Sequence, residues 1–223
     1  MVSRWTVVIL VASATAMVPA CGSGAAPSVT EPPAQQHADD CVVRLHGKGG
    51  KGSPTTVSNG VADLNPSGNA DGWGGRQWLY FPQAEYDAAR AIVTAAVDTT
   101  GCKRVVIDGF SNGASFAASL LCRNETLDGR LVGVVIDDPV TDVAIENCAR
   151  SPSVKVALYW TGALETQAPA GTACASIDWT CEGGVTVGID AYARRLDVAV
   201  QRSPSSTHEW FRDAPELEEW LRP

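Results

Sequence analysis

The chain has 223 residues, 45% of them hydrophobic and 19% charged, with a formal net charge of −8 at neutral pH. That length supports one sizeable core. The acidic balance excludes the basic surface that nucleic acid or an anionic membrane surface would require, and no stretch beyond residue 20 is long and apolar enough to span a bilayer.

In chain order, residues 1–20 read as a targeting segment. Arg4 supplies the positive start, "WTVVILVASATAMV" the apolar run, and "VPACGSG" the small residues around Cys21. This resembles a bacterial lipoprotein signal, which implies Cys21 as the lipid-anchored first residue of the mature protein. Pro19 stands where a small aliphatic residue is usual. Residues 21–40, rich in Pro, Gly, Ser and Gln, read as a disordered tether that contains His37.

From residue 41 strand and helix patterns alternate. "CVVRLHG" predicts a strand and "WLYFP" (78–82) a second. "QAEYDAARAIVTAAVD" predicts a helix with Ala89, Ile92, Val93, Ala96 and Val97 on one face. "KRVVIDGF" is a strand and "NGASFAASLLCR" a helix. "LVGVVIDD" and "VKVALYWTG" are strands, "IDAYARRL" a helix, "DVAVQ" a last strand and "DAPELEEWL" a closing helix, with Asp213 as its cap and Pro215 in its first turn. The apolar runs are nearly continuous, as in strands covered on both faces. The expected fold is α/β: one domain over 41–223, with a mostly parallel sheet of about six strands and helices on both faces. Residues 48–77 and 163–188 are expected to be long loops.

Setting Cys21 aside leaves Cys41, Cys102, Cys122, Cys148, Cys174 and Cys181. An even set in an exported chain implies a disulfide framework, and no CxxC spacing points to zinc. Cys174–Cys181 is the most local pair. Cys41–Cys102 and Cys122–Cys148 are expected for the others, a choice that spacing does not force.

The chemistry centres on "GFSNG". A β-branched strand enters this GxSxG motif directly and a helix leaves it directly. Such a turn lifts the Ser111 hydroxyl clear of the sheet, and the new helix aims its amides at a developing oxyanion. A serine needs a base. His37 lies in the tether and His46 precedes the serine in "LHGKGG". His208, in "SSTHEWF" after the last strand, is the candidate. "RLHGKGGKG" is a second apolar strand ending in a glycine-rich turn, but lacks the GK[ST] ending and following helix of a phosphate cradle. Its Lys48 backbone N–H, with Gly49 as the alternative, and the Asn112 N–H are the candidate oxyanion donors. Trp73, Trp78, Trp160, Trp179 and Trp210 flank these motifs, and Trp179 is the first candidate to line a substrate cleft.

Together "LHGKGG", "GFSNGAS", "WTGALE" and "THEW" resemble the α/β-hydrolase family, in that family's order of oxyanion turn, nucleophile, acid and histidine, over residues 41–223. The resemblance implies Glu165, in the turn after "VKVALYW", as the acid. Asp138, ending "VVIDD", is the alternative and Asp178 the third; aspartate is the commoner residue at the position Glu165 occupies. It further implies a compact domain without a lid and without the first two strands many members have. The implied activity is hydrolysis of carboxylic esters, small or polymeric, through an acyl-enzyme on Ser111, with no metal or organic cofactor. Amide cleavage, acyl transfer or a non-catalytic envelope-binding role would use the same scaffold. The implied partners exclude nucleic acid and include a membrane only through Cys21.

Overall fold

The computed structural model describes residues 38–222; the targeting segment and nearly all of the tether expected at 1–40 lie outside the described residues. The chain runs β1 (Asp40–Leu45), β2 (Ser53–Ser58), β3 (Val61–Asn65), β4 (Ala70–Gly72), β5 (Gly75–Gln77) and α1 (Gln83–Thr100). Then come β6 (Arg104–Phe110), α2 (Asn112–Cys122), β7 (Leu131–Asp137), β8 (Lys155–Trp160), α3 (Ala163–Gln167), α4 (Ile189–Leu196), β9 (Val200–Arg202) and α5 (Pro215–Glu219).

Seven strands form one sheet in the order β2-β3-β1-β6-β7-β8-β9. Only the β2–β3 edge pair is antiparallel within it. This is the expected α/β architecture with a mostly parallel sheet. The continuous apolar strands are explained by burial on both faces. Val43, Leu45, Val105, Ile107, Val134, Ile136 and Leu158 pack with α1, α2 and α4, while Val42, Val106, Val135, Ala157 and Tyr159 pack with α5. Helix α1 buries Ala89, Val93 and Val97 as its periodicity predicts, adding Tyr86 and Thr100. Helix α2 is buried along its whole length, which explains its small residues.

Several expectations change, and the loop expected at 163–188 opens with α3 (Ala163–Gln167). "WLYFP" is not a strand: Trp78 and Tyr80 are fully buried, but the Asn112 side chain takes up the Trp78 backbone, accepting from its N–H at 2.7 Å and donating to its carbonyl at 2.9 Å. The apolar run therefore records burial and not sheet pairing. Residues 48–77 are not one loop but hold β2 to β5; β2 is exposed at all six positions, so its sequence carries no alternation. Asp213 does not cap α5, whose N-cap is Ala214 with no side-chain cap bond, although Pro215 does occupy the first turn.

The disulfides are Cys41–Cys102, Cys122–Cys148 and Cys174–Cys181, with Cα separations of 5.8, 4.1 and 5.4 Å. The first ties the start of β1 to the entry of β6, the second the end of α2 to the loop before β8, and the third closes the loop after α3. Such bridges are characteristic of oxidising, extracytoplasmic compartments. Among the described residues no helix is long and apolar enough to cross a membrane.

Candidate active site

Ser111 sits between β6 and α2 with φ 54° and ψ −118°, a conformation a side-chain-bearing residue rarely adopts. Its N–H bonds to the Asp137 carbonyl at 2.9 Å. The turn closes this tightly because of its glycines. A Cβ on Gly113 would lie 2.0 Å from the Leu45 carbonyl oxygen, and one on Gly109 would lie 2.5 Å from that of Gly113.

The glycine-rich turn after β1 meets this elbow. A Cβ on Gly47 would stand 3.2 Å from the Ser111 Cβ, so the turn passes directly beside the hydroxyl-bearing residue. Within the turn the Gly49 N–H donates to the Arg76 carbonyl at 2.9 Å and the Gly50 N–H to the Gly47 carbonyl at 3.0 Å. The backbone N–H groups of Lys48 and Asn112 have no partner among the described residues. Gly49, the alternative donor, is thus already engaged. His46 holds the turn from below. Its Nδ1 is 2.8 Å from the Gly47 carbonyl, and its Nε2 accepts the Gly68 N–H at 3.2 Å. A carbonyl can only accept and an amide N–H only donate, so these partners require a neutral ring protonated at Nδ1. Burial lowers the His46 pKa in the same sense.

His208 reaches the site on the loop after β9. Its ring centroid lies 4.6 Å from that of Phe110, the residue before Ser111. Its Nδ1 lies 2.5 Å from Asp138 Oδ2. Asp138 follows β7 directly, with φ 49°, and its carboxylate is fully buried. The other contacts to that carboxylate come from Thr161, through the backbone N–H at 3.1 Å and the hydroxyl at 2.7 Å. The expectation of Glu165 beside the histidine is corrected here. Glu165 lies in α3, exposed, with no hydrogen bond or ion pair among the described residues. Asp178 is also elsewhere, accepting from Trp73 Nε1 at 2.6 Å and from Lys48 Nζ at 3.3 Å.

The histidine loop is latched by Asp108, Asp137 and Arg44, which the sequence reading did not single out. The Trp210 indole donates to Asp108 at 3.1 Å, the Phe211 N–H to Asp137 at 2.6 Å, and Arg44 to both Asp108 (2.6 Å) and the Arg212 carbonyl (2.8 Å). Burial raises the Asp137 pKa to about 7, with the Phe211 N–H opposing and the nearby Asp108 and Asp138 adding to the rise. Burial raises Asp108 to about 6 against the pull of Arg44 and Trp210. The tandem Asp137-Asp138 was the available signal: one carboxylate grips the loop's backbone and the other the histidine ring.

Of the tryptophans, Trp78 lies in the core stacked on Phe116, and Trp210 stacks on Phe110. Trp179 is half-buried and packs against a small cluster of Val140, Leu164 and Cys181. Trp73 stands exposed beside Lys48. Among the described residues no group of three or more His, Cys, Asp or Glu could hold a metal ion.

No protein-family model and no curated protein matches the chain. Solved structures do. A carboxylesterase from Mesorhizobium loti aligns with a TM-score of 0.50 at 19% identity, covering 82% of this chain and 87% of that one. The Bacillus cereus carboxylesterase aligns with a TM-score of 0.50 at 18% identity, covering 82% and 88%. The chain shares their fold. At these identities the likeness concerns the fold, and the case for an activity rests on the residues described above.

Proposed function

We propose that the protein is a serine hydrolase of carboxylic esters. One observation carries the reading: a strained strand-turn-helix serine stands beside a glycine turn, and the residue before it, Phe110, packs on a histidine whose Nδ1 is bound to a buried carboxylate. With Nδ1 committed to Asp138, the His208 Nε2 is the nitrogen left to act as base. In the reaction it takes the proton from Ser111 Oγ as the oxygen attacks the acyl carbonyl. The Lys48 and Asn112 amides receive the oxyanion. Collapse expels the alcohol, protonated by the imidazolium, and leaves an acyl-Ser111 ester. Water, deprotonated by His208, then attacks that ester and releases the acid and the free serine. Asp138 holds the ring orientation and stabilises the imidazolium throughout. The carboxylesterases of like fold are consistent with this chemistry.

The test is covalent labelling by a fluorophosphonate, together with hydrolysis of a panel of short to long acyl esters. Labelling and turnover in the wild type, with neither in Ser111→Ala, are expected. A correctly folded wild type that neither labels nor turns over any ester would make the domain a non-catalytic scaffold. Export and tethering through Cys21 belong to the same proposal. Mass spectrometry of the mature protein should find a diacylglyceryl-modified Cys21, and an unmodified amino terminus elsewhere would remove the anchor.

A further inference from the structure

We propose that Trp73 is a substrate-contacting residue, a stacking platform at the rim of the oxyanion turn for an aromatic ring carried by the ester. The proposal rests on the ester-hydrolase reading for its reaction but on separate observations for the platform. Strands β4 and β5 are joined by the two-residue turn Trp73-Gly74, with φ of 44° and 76°. Positive φ at both positions is the geometry that favours Asn-Gly or Asp-Gly, and a bulky side chain at the first position is an outlier. Burial could offset that cost in a core residue, but Trp73 is 55% exposed, the most exposed large hydrophobic side chain among the described residues. An aromatic side chain held in strain and left in water, beside a candidate catalytic turn, is the pattern of a binding residue.

The placement is fixed from several sides. The hairpin is laid on the oxyanion turn: the Gly49 N–H donates to the Arg76 carbonyl at 2.9 Å, and the Arg76 N–H to the Gly50 carbonyl at 2.7 Å. Gly75 is so close that a Cβ there would lie 2.1 Å from the Gly49 carbonyl oxygen, and a Cβ on Gly49 would lie 3.2 Å from the Trp73 Cβ. The indole Nε1 is tied to Asp178 Oδ2 at 2.6 Å, and the Lys48 ammonium lies 4.8 Å from the ring centroid. The ring is therefore oriented before any ligand arrives, so little rotamer entropy is lost on binding. Its one polar atom is already engaged, and so are both carboxylate oxygens of Asp178. With the Lys48 ammonium over one face of the ring, what remains on offer is the opposite face of an indole that is 55% exposed. That surface suits an aromatic ring better than a sugar, whose hydroxyls would need free polar partners.

The test compares methyl benzoate with methyl acetate in wild type, Trp73→Asn and Trp73→Phe. Asparagine suits the turn, so Trp73→Asn should melt at or above the wild-type temperature; a residue serving only as a strap would melt lower. The benzoate-to-acetate ratio of kcat/KM should fall about tenfold in Trp73→Asn, through KM, and be largely kept in Trp73→Phe. An unchanged ratio overturns the proposal. Calorimetry on the Ser111→Ala background separates the two readings. Methyl benzoate should bind about tenfold more weakly once Trp73→Asn is added. Equal affinity overturns the platform whatever the catalysis. A preserved difference in a wild type that hydrolyses neither ester overturns the hydrolase and leaves the platform standing.

Discussion

His208 Nδ1 lies 2.5 Å from Asp138 Oδ2 across 70 residues of sequence, with the carboxylate fully buried and the ring partly open to solvent. Thr161 places two further donors on that carboxylate, so it is held ready for an imidazolium. Asp138→Asn should lower kcat by ~10⁴ with KM little changed, since the wrong ring tautomer would be favoured. Glu165→Gln, at an exposed position in α3, should stay within about twofold of wild type. Steady-state kinetics on variants with matched thermal melts check both. A crippled Glu165→Gln beside a mild Asp138→Asn would reverse the assignment.

Gly113 lets α2 begin against the end of β1. With the Leu45 carbonyl oxygen 2.0 Å from the site of a Cβ, Gly113→Ala forces backbone apart in the most crowded part of the elbow. Destabilisation of about 1–3 kcal/mol or more is expected by denaturant titration, together with loss of the proposed ester hydrolysis even in the folded fraction. Gly129→Ala is the contrast: its Cβ meets nothing within 4 Å, although its φ of 82° carries some local strain. It should leave activity intact, and a Gly129→Ala as inactive as Gly113→Ala would mean that general instability, not elbow geometry, is being read.

Asp137 makes stability depend on pH in a definite direction. Burial raises its folded pKa to about 7 from an ordinary 3.8, so between those values the folded protein keeps a proton that the unfolded chain has lost. The contribution is most favourable below 3.8, declines as pH rises through the window, and levels off above about 7. Asn at 137 cannot titrate yet still offers an acceptor to the Phe211 N–H. The melting temperature of Asp137→Asn relative to wild type should therefore climb with pH across this window and then flatten. Melts at a series of pH values test this, and a flat difference would show that Asp137 ionises normally in the folded protein.

The disulfides should differ in weight. Their sequence separations are 61, 26 and 7 residues for Cys41–Cys102, Cys122–Cys148 and Cys174–Cys181. In the chain-entropy description, removing a bridge costs about 2–5 kcal/mol and more for longer loops. Paired Cys→Ala replacements should therefore destabilise in that order, measured by denaturant titration. Thiol titration of the denatured, unreduced domain should find no free cysteine within 38–222. A free thiol there, or a greater loss from the Cys174–Cys181 pair than from Cys41–Cys102, would contradict the arrangement.

The sequence by itself determined the parts of this protein whose causes are local. β-Branched runs wrote the central strands, and the periodicity of 83–98 wrote α1. The glycines around Ser111 wrote the elbow, because only residues without a side chain allow that approach of backbone to backbone. The even set of cysteines anticipated the bridges. Tertiary structure decided the rest. Glu165 and Asp138 both end strand-turn patterns in the sequence, and only the three-dimensional path of the 203–214 loop brings His208 to Asp138 and leaves Glu165 in water. "WLYFP" looks like a strand because burial alone selects apolar residues, whereas its backbone partner is a side chain from α2. β2 left no pattern because all six of its positions are exposed. Periodicity reports which residues are buried; which neighbours they meet depends on contacts between segments far apart in the chain, and those are settled only when the sheet closes.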